Sequence, residues 1–264
     1  MGKSATHKKS PLTFFLLVFG LSIPFWILAA IAGDLKHILP AKLPISALMT
    51  FCPLIAATIL VYKERKINGV KELLKLSFDF KKIKNPKWYI PIVFLIPVMV
   101  SLAYGYRNMT GAIVLEPQST LLSISGLFVM FFIGAIGEEL GWSGYITEPL
   151  QNRYGALIAS IVLGFVWALW HIIPYCQMHQ IADWILWQCI ATVCLRIIMV
   201  WLFDNTGKSV FAMVVFHTMI NLSPFLIPNN GPYFGTFIFA VLLMLTVAIV
   251  ICLSDPKTLI KYRF

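Results

Sequence analysis

The sequence predicts an all-α fold: a multi-pass transmembrane helical bundle of about eight spans with a central polar cavity. Three observations predict it. The 264 residues are 59% hydrophobic and 12% charged, about half the charged share of roughly 25% usual in soluble domains. Mean hydropathy is +0.83. The apolar residues also come in continuous runs near the ~20 residues a helix needs to cross the hydrocarbon core, too long and unbroken for barrel strands.

The runs lie near residues 12–32, 43–62, 88–107, 121–145, 155–176, 184–203, 209–227 and 233–253. The first follows a basic start, and Ala30-Ile31-Ala32 has the form of a cleavage site. The stretch from Phe14 to Ala32 nevertheless exceeds a signal-peptide core of about 7–15 residues, so it reads as a retained span. Pro24, Pro53, Pro91 and Pro97 fall within runs and are expected to kink their helices, which neighbouring polar groups allow in lipid. All five cysteines, Cys52, Cys176, Cys189, Cys194 and Cys252, lie in or at the ends of apolar runs. With no CxxC pair, they read as buried thiols that fill space.

The net charge of +10 is concentrated in three places. The segment 63–87 holds Lys63, Arg65, Lys66, Lys71, Lys75, Lys81, Lys82, Lys84 and Lys87. The amino-terminal tail adds Lys3, Lys8 and Lys9, and the carboxyl-terminal tail adds Lys257, Lys261 and Arg263. Eight crossings put all three on one side, and the positive-inside rule makes that side the cytoplasm. The expectation is a cell-membrane protein with both termini cytoplasmic and few cations (Lys36, Lys42, Arg107) opposite. Attraction to an anionic bilayer explains the basic segment without nucleic acid. Val70, Leu73, Leu74, Leu76, Phe78 and Phe80 among its lysines suit a short amphipathic helix on the membrane face. The chain divides into amino-terminal helices with this loop (1–120), central helices (121–227), and a last span with a basic tail (228–264). No internal repeat is visible.

Three polar clusters interrupt the central runs. Glu138-Glu139 stands in an apolar, glycine-rich stretch with glycines at 134, 137, 141 and 144. An acid at mid-helix in a bilayer costs about 2.5–3.5 kcal/mol even on mild scales, so a pair needs a reason. Adjacent helical residues point about 100° apart. One carboxylate can therefore face a cavity while the other bonds a neighbour; the alternative is a solvated pair at the span's end. Trp167 and His171 lie four apart, on one helix face. They suit proton transfer, but taken alone they favour an interfacial aromatic cluster. His217 and Asn221 have the same spacing and could donate to an oxyanion or simply join two helices. Co-occurrence on three successive runs favours a shared site between facing helices.

Together these clusters resemble the CPBP family of intramembrane proteases, the type II CAAX-prenyl proteases and their bacteriocin-processing, Abi-like relatives. The resemblance rests on Glu138-Glu139-Leu140-Gly141-Trp142-Ser143-Gly144-Tyr145, Phe165-Val166-Trp167-Ala168-Leu169-Trp170-His171 and His217-Thr218-Met219-Ile220-Asn221. It covers roughly 120–225. It implies an endopeptidase in which Glu138 and His171 activate water and His217 and Asn221 stabilise the oxyanion, with Glu139 in support. The family motif is usually Glu-Glu-x-x-x-Arg, and Ser143 holds the arginine position here. Arg196, inside the sixth run, is expected to pair with Glu139 or line the cavity, and Trp167 to support the site. The implied substrate is a prenylated or membrane-anchored protein, cut after its lipidated cysteine near the carboxyl terminus. No cofactor is favoured. If a metal takes part, zinc on His171, His217 and Glu138 is the set to test, although no HExxH is present. A non-catalytic immunity or scaffold member of the same fold is the alternative. A small-solute transporter ranks lower, because it would predict internal repeats.

Overall fold

The computed structural model describes residues 10–32, 45–110, 120–227 and 236–259. It is a bundle of helices: α1 (Pro11–Ala32), α2 (Cys52–Lys75), α3 (Tyr89–Met109), α4 (Leu121–Gly141), α5 (Thr147–Tyr154), α6 (Ala156–Gln177), α7 (Ala182–Asn205), α8 (Val210–Leu222) and α9 (Thr236–Leu253). Among the described residues seven helical segments are long and apolar enough to cross a membrane. The eighth apolar segment, Val210–Leu226, is shorter. The protein is a multi-pass membrane bundle, as its composition predicts.

The short eighth segment has a physical reason. Nine of the thirteen residues of α8 are buried and none is exposed, so it is an interior helix and need not span the hydrocarbon itself. Its amino terminus is closed by the basic loop. Ser209 caps Ala212 N at 3.2 Å, and the Asp79 carboxylate accepts from Ser209 Oγ at 2.8 Å, Phe211 N at 3.0 Å and Val210 N at 3.3 Å. A carboxylate on orphan helix amides both satisfies them and opposes the helix dipole. Lys82 bridges Asp79 at 2.9 Å and bonds Lys208 O at 3.2 Å, tying the loop to the α7–α8 turn. At the same end of the bundle, Ala156 N donates to Lys257 O at 2.8 Å and Asn205 Nδ2 to Leu259 O at 2.9 Å. The basic loop and Lys257 thus share one end. Lys3, Lys8, Lys9, Lys36, Lys42, Lys261 and Arg263 lie outside the described residues.

Several local expectations are corrected. The basic segment is not one surface helix. α2 runs through it to Lys75 with a break at Lys66 (φ 54°, ψ −154°), followed by 3-10 turns at Leu76–Phe78, Phe80–Lys82 and Pro86–Trp88. Its apolar residues divide: Leu73 is buried, while Leu74, Phe78 and Phe80 remain exposed. Pro53 and Pro91 occupy first turns of α2 and α3, where a missing N–H costs no helical bond, and Pro24, Pro97 and Pro174 are the interior prolines. Cys52 and Cys194 are buried, but Cys176 and Cys252 are exposed on the bundle's outer surface.

Two glycines bring α4 onto the junction between the 3-10 segment Ile45–Phe51 and α2. A Cβ on Gly137 would meet Thr50 O and the Phe51 ring at 2.8 Å, and one on Gly141 would meet Pro53 O at 2.5 Å. Backbone on both sides leaves nothing flexible to yield. Gly141→Ala should therefore destabilise the bundle by about 1–3 kcal/mol. Gly126→Ala, where a Cβ meets nothing within 4 Å, should be neutral or gain up to about 1 kcal/mol. Thermal unfolding of the two variants in detergent checks the contrast, and equal shifts would contradict it.

Candidate active site

The adjacent acids near the end of α4 point in different directions, as a 100° helical step requires. Both are buried, Glu138 6% exposed and Glu139 not at all. Their surroundings differ in kind.

Glu139 is saturated. Arg196 from α7 approaches end-on, with one terminal nitrogen 3.0 Å from Oε2 and the other 3.1 Å from Oε1. His217 Nδ1 from α8 lies 2.9 Å from Oε1. Ser143, one turn onward, donates its hydroxyl to Oε2. That serine sits in a π-helical turn, Trp142–Ile146, closed by Thr147 Oγ1 on Trp142 O at 2.7 Å. Single π turns inside helices occur frequently at functional sites. Two-pronged pairing with a guanidinium is the geometry in which a buried carboxylate recovers most of its lost hydration.

Glu138 is held lightly. Trp167 Nε1 from α6 donates to its Oε2 at 2.8 Å. Thr50 Oγ1, from the 3-10 segment before α2, lies 3.1 Å from Oε1. Two carboxylate oxygens with two contacts leave lone pairs to spare. Glu138 also lies within electrostatic reach of both His171 and His217.

Trp167 is the hub. Its indole nitrogen serves Glu138, the Arg196 guanidinium stands over its ring at 4.3 Å, and the His171 and His217 rings meet it edge-on at 5.5 and 5.3 Å. A cation over an indole face is favourable, the more so when desolvated. Gly164 permits the arrangement: a Cβ there would lie 2.9 Å from Val193 Cα and 3.1 Å from Arg196 Cβ, so only glycine lets α6 and α7 close this far. Arg196 Nε has no hydrogen-bond partner among the described residues.

The two histidines are oriented differently. His171 Nδ1 is 2.8 Å from Trp167 O. A carbonyl only accepts, so the neutral ring carries its hydrogen on Nδ1 and presents the Nε2 lone pair. His171 is also flanked by the Trp170 and Tyr175 rings at 4.9 and 5.7 Å. His217 directs Nδ1 to Glu139, the carboxylate–imidazole arrangement that orients a ring and supports its charge. Asn221, one turn beyond His217 and partly buried, makes no side-chain hydrogen bond among the described residues. Hydrogen bonds and ring contacts thus join Glu138, Glu139, Trp167, Arg196, His171 and His217, with Asn221 unattached beside them.

Among the described residues no three His, Cys, Asp or Glu side chains are grouped to hold a metal. Both histidine Nδ1 atoms are engaged by protein acceptors, which leaves each Nε2 outside those bonds, as it is in histidines that hold a metal.

Residues 120–223 match a family model described as Rce1-like, Type II CAAX prenyl endopeptidase Rce1-like. The similarity is to the core of the CPBP-family intramembrane proteases. The matched residues contain all three CPBP clusters and Arg196. The chain is similar to CAAX prenyl protease 2 of Methanococcus maripaludis, 28% identical over 233 residues, covering 83% of this chain and 85% of that protein. It is also similar to Lysostaphin resistance protein A of Staphylococcus haemolyticus, 21% identical over 266 residues, covering 98% of this chain and 70% of that one. A shorter match joins it to Lysostaphin resistance protein A of Staphylococcus aureus, 26% identical over 162 residues and 35% of that protein's length. These similarities support a CAAX-protease-like activity on a protein or peptide.

Thr50 was not visible as a site residue in the sequence, since it lies 88 residues before Glu138 and outside the matched core. The available signal was a hydroxyl in an apolar run just before the Phe51-Cys52-Pro53 helix start. The buried pair yields a stability prediction. Arg196→Met leaves Glu139 charged without its cation and should cost about 3–5 kcal/mol. Adding Glu139→Gln should recover a substantial part. Denaturant or thermal unfolding of the single and double variants measures this, and simple additivity would contradict the pairing.

Proposed function

We propose that this protein is an intramembrane endopeptidase that hydrolyses a peptide bond near the carboxyl terminus of a prenylated protein. The observation that carries the reading is the contrast between the two acids: Glu139 is saturated by four donors, while Glu138 keeps free lone pairs beside His171 and His217. A buried acid with spare acceptor capacity next to an imidazole lone pair is equipped to take a proton from water.

In the proposed reaction Glu138 accepts a proton from a water molecule whose oxygen attacks the scissile carbonyl carbon. His171 Nε2 accepts a hydrogen bond from the same water and orients it. The carbonyl π electrons move onto oxygen, and the oxyanion is met by the Asn221 amide and by His217 Nε2–H. For His217 to donate at Nε2 while Nδ1–H bonds Glu139, the ring must be the imidazolium, and Glu139 is the counter-charge beside it. The C–N bond then breaks, and the proton held by Glu138 passes to the departing amine nitrogen. Glu139, Arg196 and Ser143 position His217, and Trp167 positions Glu138. This route uses no metal. The isoprenoid of the substrate would lie between helices, in lipid, and the basic loop and both termini would face the cytoplasm.

The CAAX substrate comes to this chain from the similar Methanococcus protein and the CPBP motif match. Ser143 at the motif arginine position favours a second reading, a non-catalytic member of the same fold. One experiment separates them. Detergent-purified protein should cleave a farnesylated peptide ending in a CAAX sequence and release its last three residues. Glu138→Gln and His171→Ala should each lower kcat by about 10²–10⁴, and metal analysis should find no stoichiometric zinc. Equal turnover in the variants would remove Glu138 and His171 from the chemistry; no turnover by the unaltered protein would favour the non-catalytic reading.

A further inference from the structure

We propose that Thr50 is a positioning residue for Glu138, a hydroxyl rotor that serves the acid in both of its protonation states and keeps the transferred proton on Oε1. The inference rests on the proposed role of Glu138 and extends it to a residue outside the matched core.

Thr50 Oγ1 lies 3.1 Å from Glu138 Oε1 and 3.1 Å from Gly134 O. A hydroxyl has one hydrogen and can also accept. Both neighbours are pure acceptors when Glu138 is ionised, so one contact then lacks a hydrogen. When Glu138 carries a proton on Oε1, both contacts are filled: Oε1–H donates to Thr50, and Thr50 donates to Gly134 O. The rotation between these arrangements leaves no group stranded. Gly134 O already accepts the helical bond from Glu138 N within α4, so it can lose the Thr50 hydrogen while the acid is ionised.

The other oxygen of Glu138 decides where the proton sits. Trp167 Nε1–H only donates, and it is directed at Oε2 from 2.8 Å. Oε2 is therefore supplied with a hydrogen in either state, and Oε1 is the oxygen with an acceptor waiting. The neighbouring charged and titratable groups do not compete. Arg196, His217 and Ser143 are directed at Glu139, and His171 Nδ1 at Trp167 O. Among the described residues, Thr50 and Trp167 are the side chains hydrogen-bonded to Glu138.

The backbone that carries Thr50 is held firmly. Gly137 lets α4 settle against Thr50 O and Phe51, and Gly141 lets it settle against Pro53. The hydroxyl can thus turn about its own bond while its oxygen keeps its distance from both acceptors. In the reaction this matters twice: Thr50 donates to the carboxylate that waits for water, then accepts from the acid until the amine leaves.

The test compares Thr50→Val, which keeps the shape and removes the hydroxyl, with Thr50→Ser, which keeps the hydroxyl. The readout that needs no substrate is infrared spectroscopy of detergent-solubilised protein during acid titration. The carboxylic C=O band that Glu138→Gln abolishes is the band of Glu138. In Thr50→Val that band should move to higher frequency, because its O–H has lost its acceptor, and Thr50→Ser should restore it. With a cleavable farnesylated peptide, Thr50→Val should lower kcat about tenfold at unchanged KM, and Thr50→Ser should recover it. An unmoved band in Thr50→Val, or no band assignable to Glu138 at any pH the fold survives, overturns the proposal, as does a serine variant that behaves like valine. Absence of peptide cleavage by the unaltered protein would count against the enzymatic reading alone, because the infrared comparison proceeds without it.

Discussion

The structure depends on the satisfaction of one carboxylate. Glu139 is wholly buried in a bundle built for lipid, where an unpaired charge would cost several kcal/mol. Its donors come from its own helix turn at Ser143, from α7 through Arg196 and from α8 through His217. The bonds to Arg196 and His217 therefore join separate segments of chain. Helices in lipid gain little from apolar contact with one another, because the tails around them are equally apolar. A shared buried ion pair supplies the register that hydrophobic burial alone would leave loose. The orientation of His217, the position of Arg196 over Trp167, and through Trp167 the hold on Glu138 all follow from that node.

Much of this is legible in the sequence. Apart from the second run, 43–62, where the helix is Cys52–Lys75, the apolar runs match helices to within a few residues, because lipid demands length and continuity that a sequence displays openly. The two acids, the Trp-His face and the His-Asn face stood out because polar groups in such runs are few. Arg196 stood out for the same reason. What escaped was of a different sort. Thr50 is one hydroxyl in an apolar stretch, and its meaning lies in a contact across 88 positions of sequence. The π turn at Trp142–Ile146 leaves no compositional trace, since it differs from an α-turn only in hydrogen-bond register. Gly164 matters only because α7 happens to run against it. The α2 break at Lys66 and the Asp79 cap on α8 depend on where a loop folds back, which local propensity does not encode. Cys176 and Cys252 were misread because lipid accepts an exposed thiol that water-facing statistics would bury.

Two neighbouring carboxylates of the same type come to differ wholly through geometry. The 100° step between them sends Glu139 toward a cation, an imidazole and a hydroxyl, and Glu138 toward one indole and one hydroxyl. Structure and chemistry divide along that step. A carboxylate whose acceptor sites are filled from every side can orient and neutralise but has little capacity for a further proton. One with lone pairs free can exchange protons, provided something fixes its angle. Trp167 supplies the angle without supplying charge, which keeps Glu138 anchored yet chemically open.

The same reasoning explains why a serine is tolerable at position 143. A large cation one turn beyond Glu139 on its own helix would have to share space with the guanidinium that arrives from α7. Gly164 opens the path for that arrival, and Trp167 provides the surface over which it passes. With Arg196 already paired end-on to Glu139, position 143 has only to contribute one short donor, and a serine within a π turn does so. The positive charge thus comes from across the bundle. It clamps α4, α6 and α7 together, which a cation on α4 itself would not do. Fold stability and the orientation of the site are for that reason the same interaction in this chain.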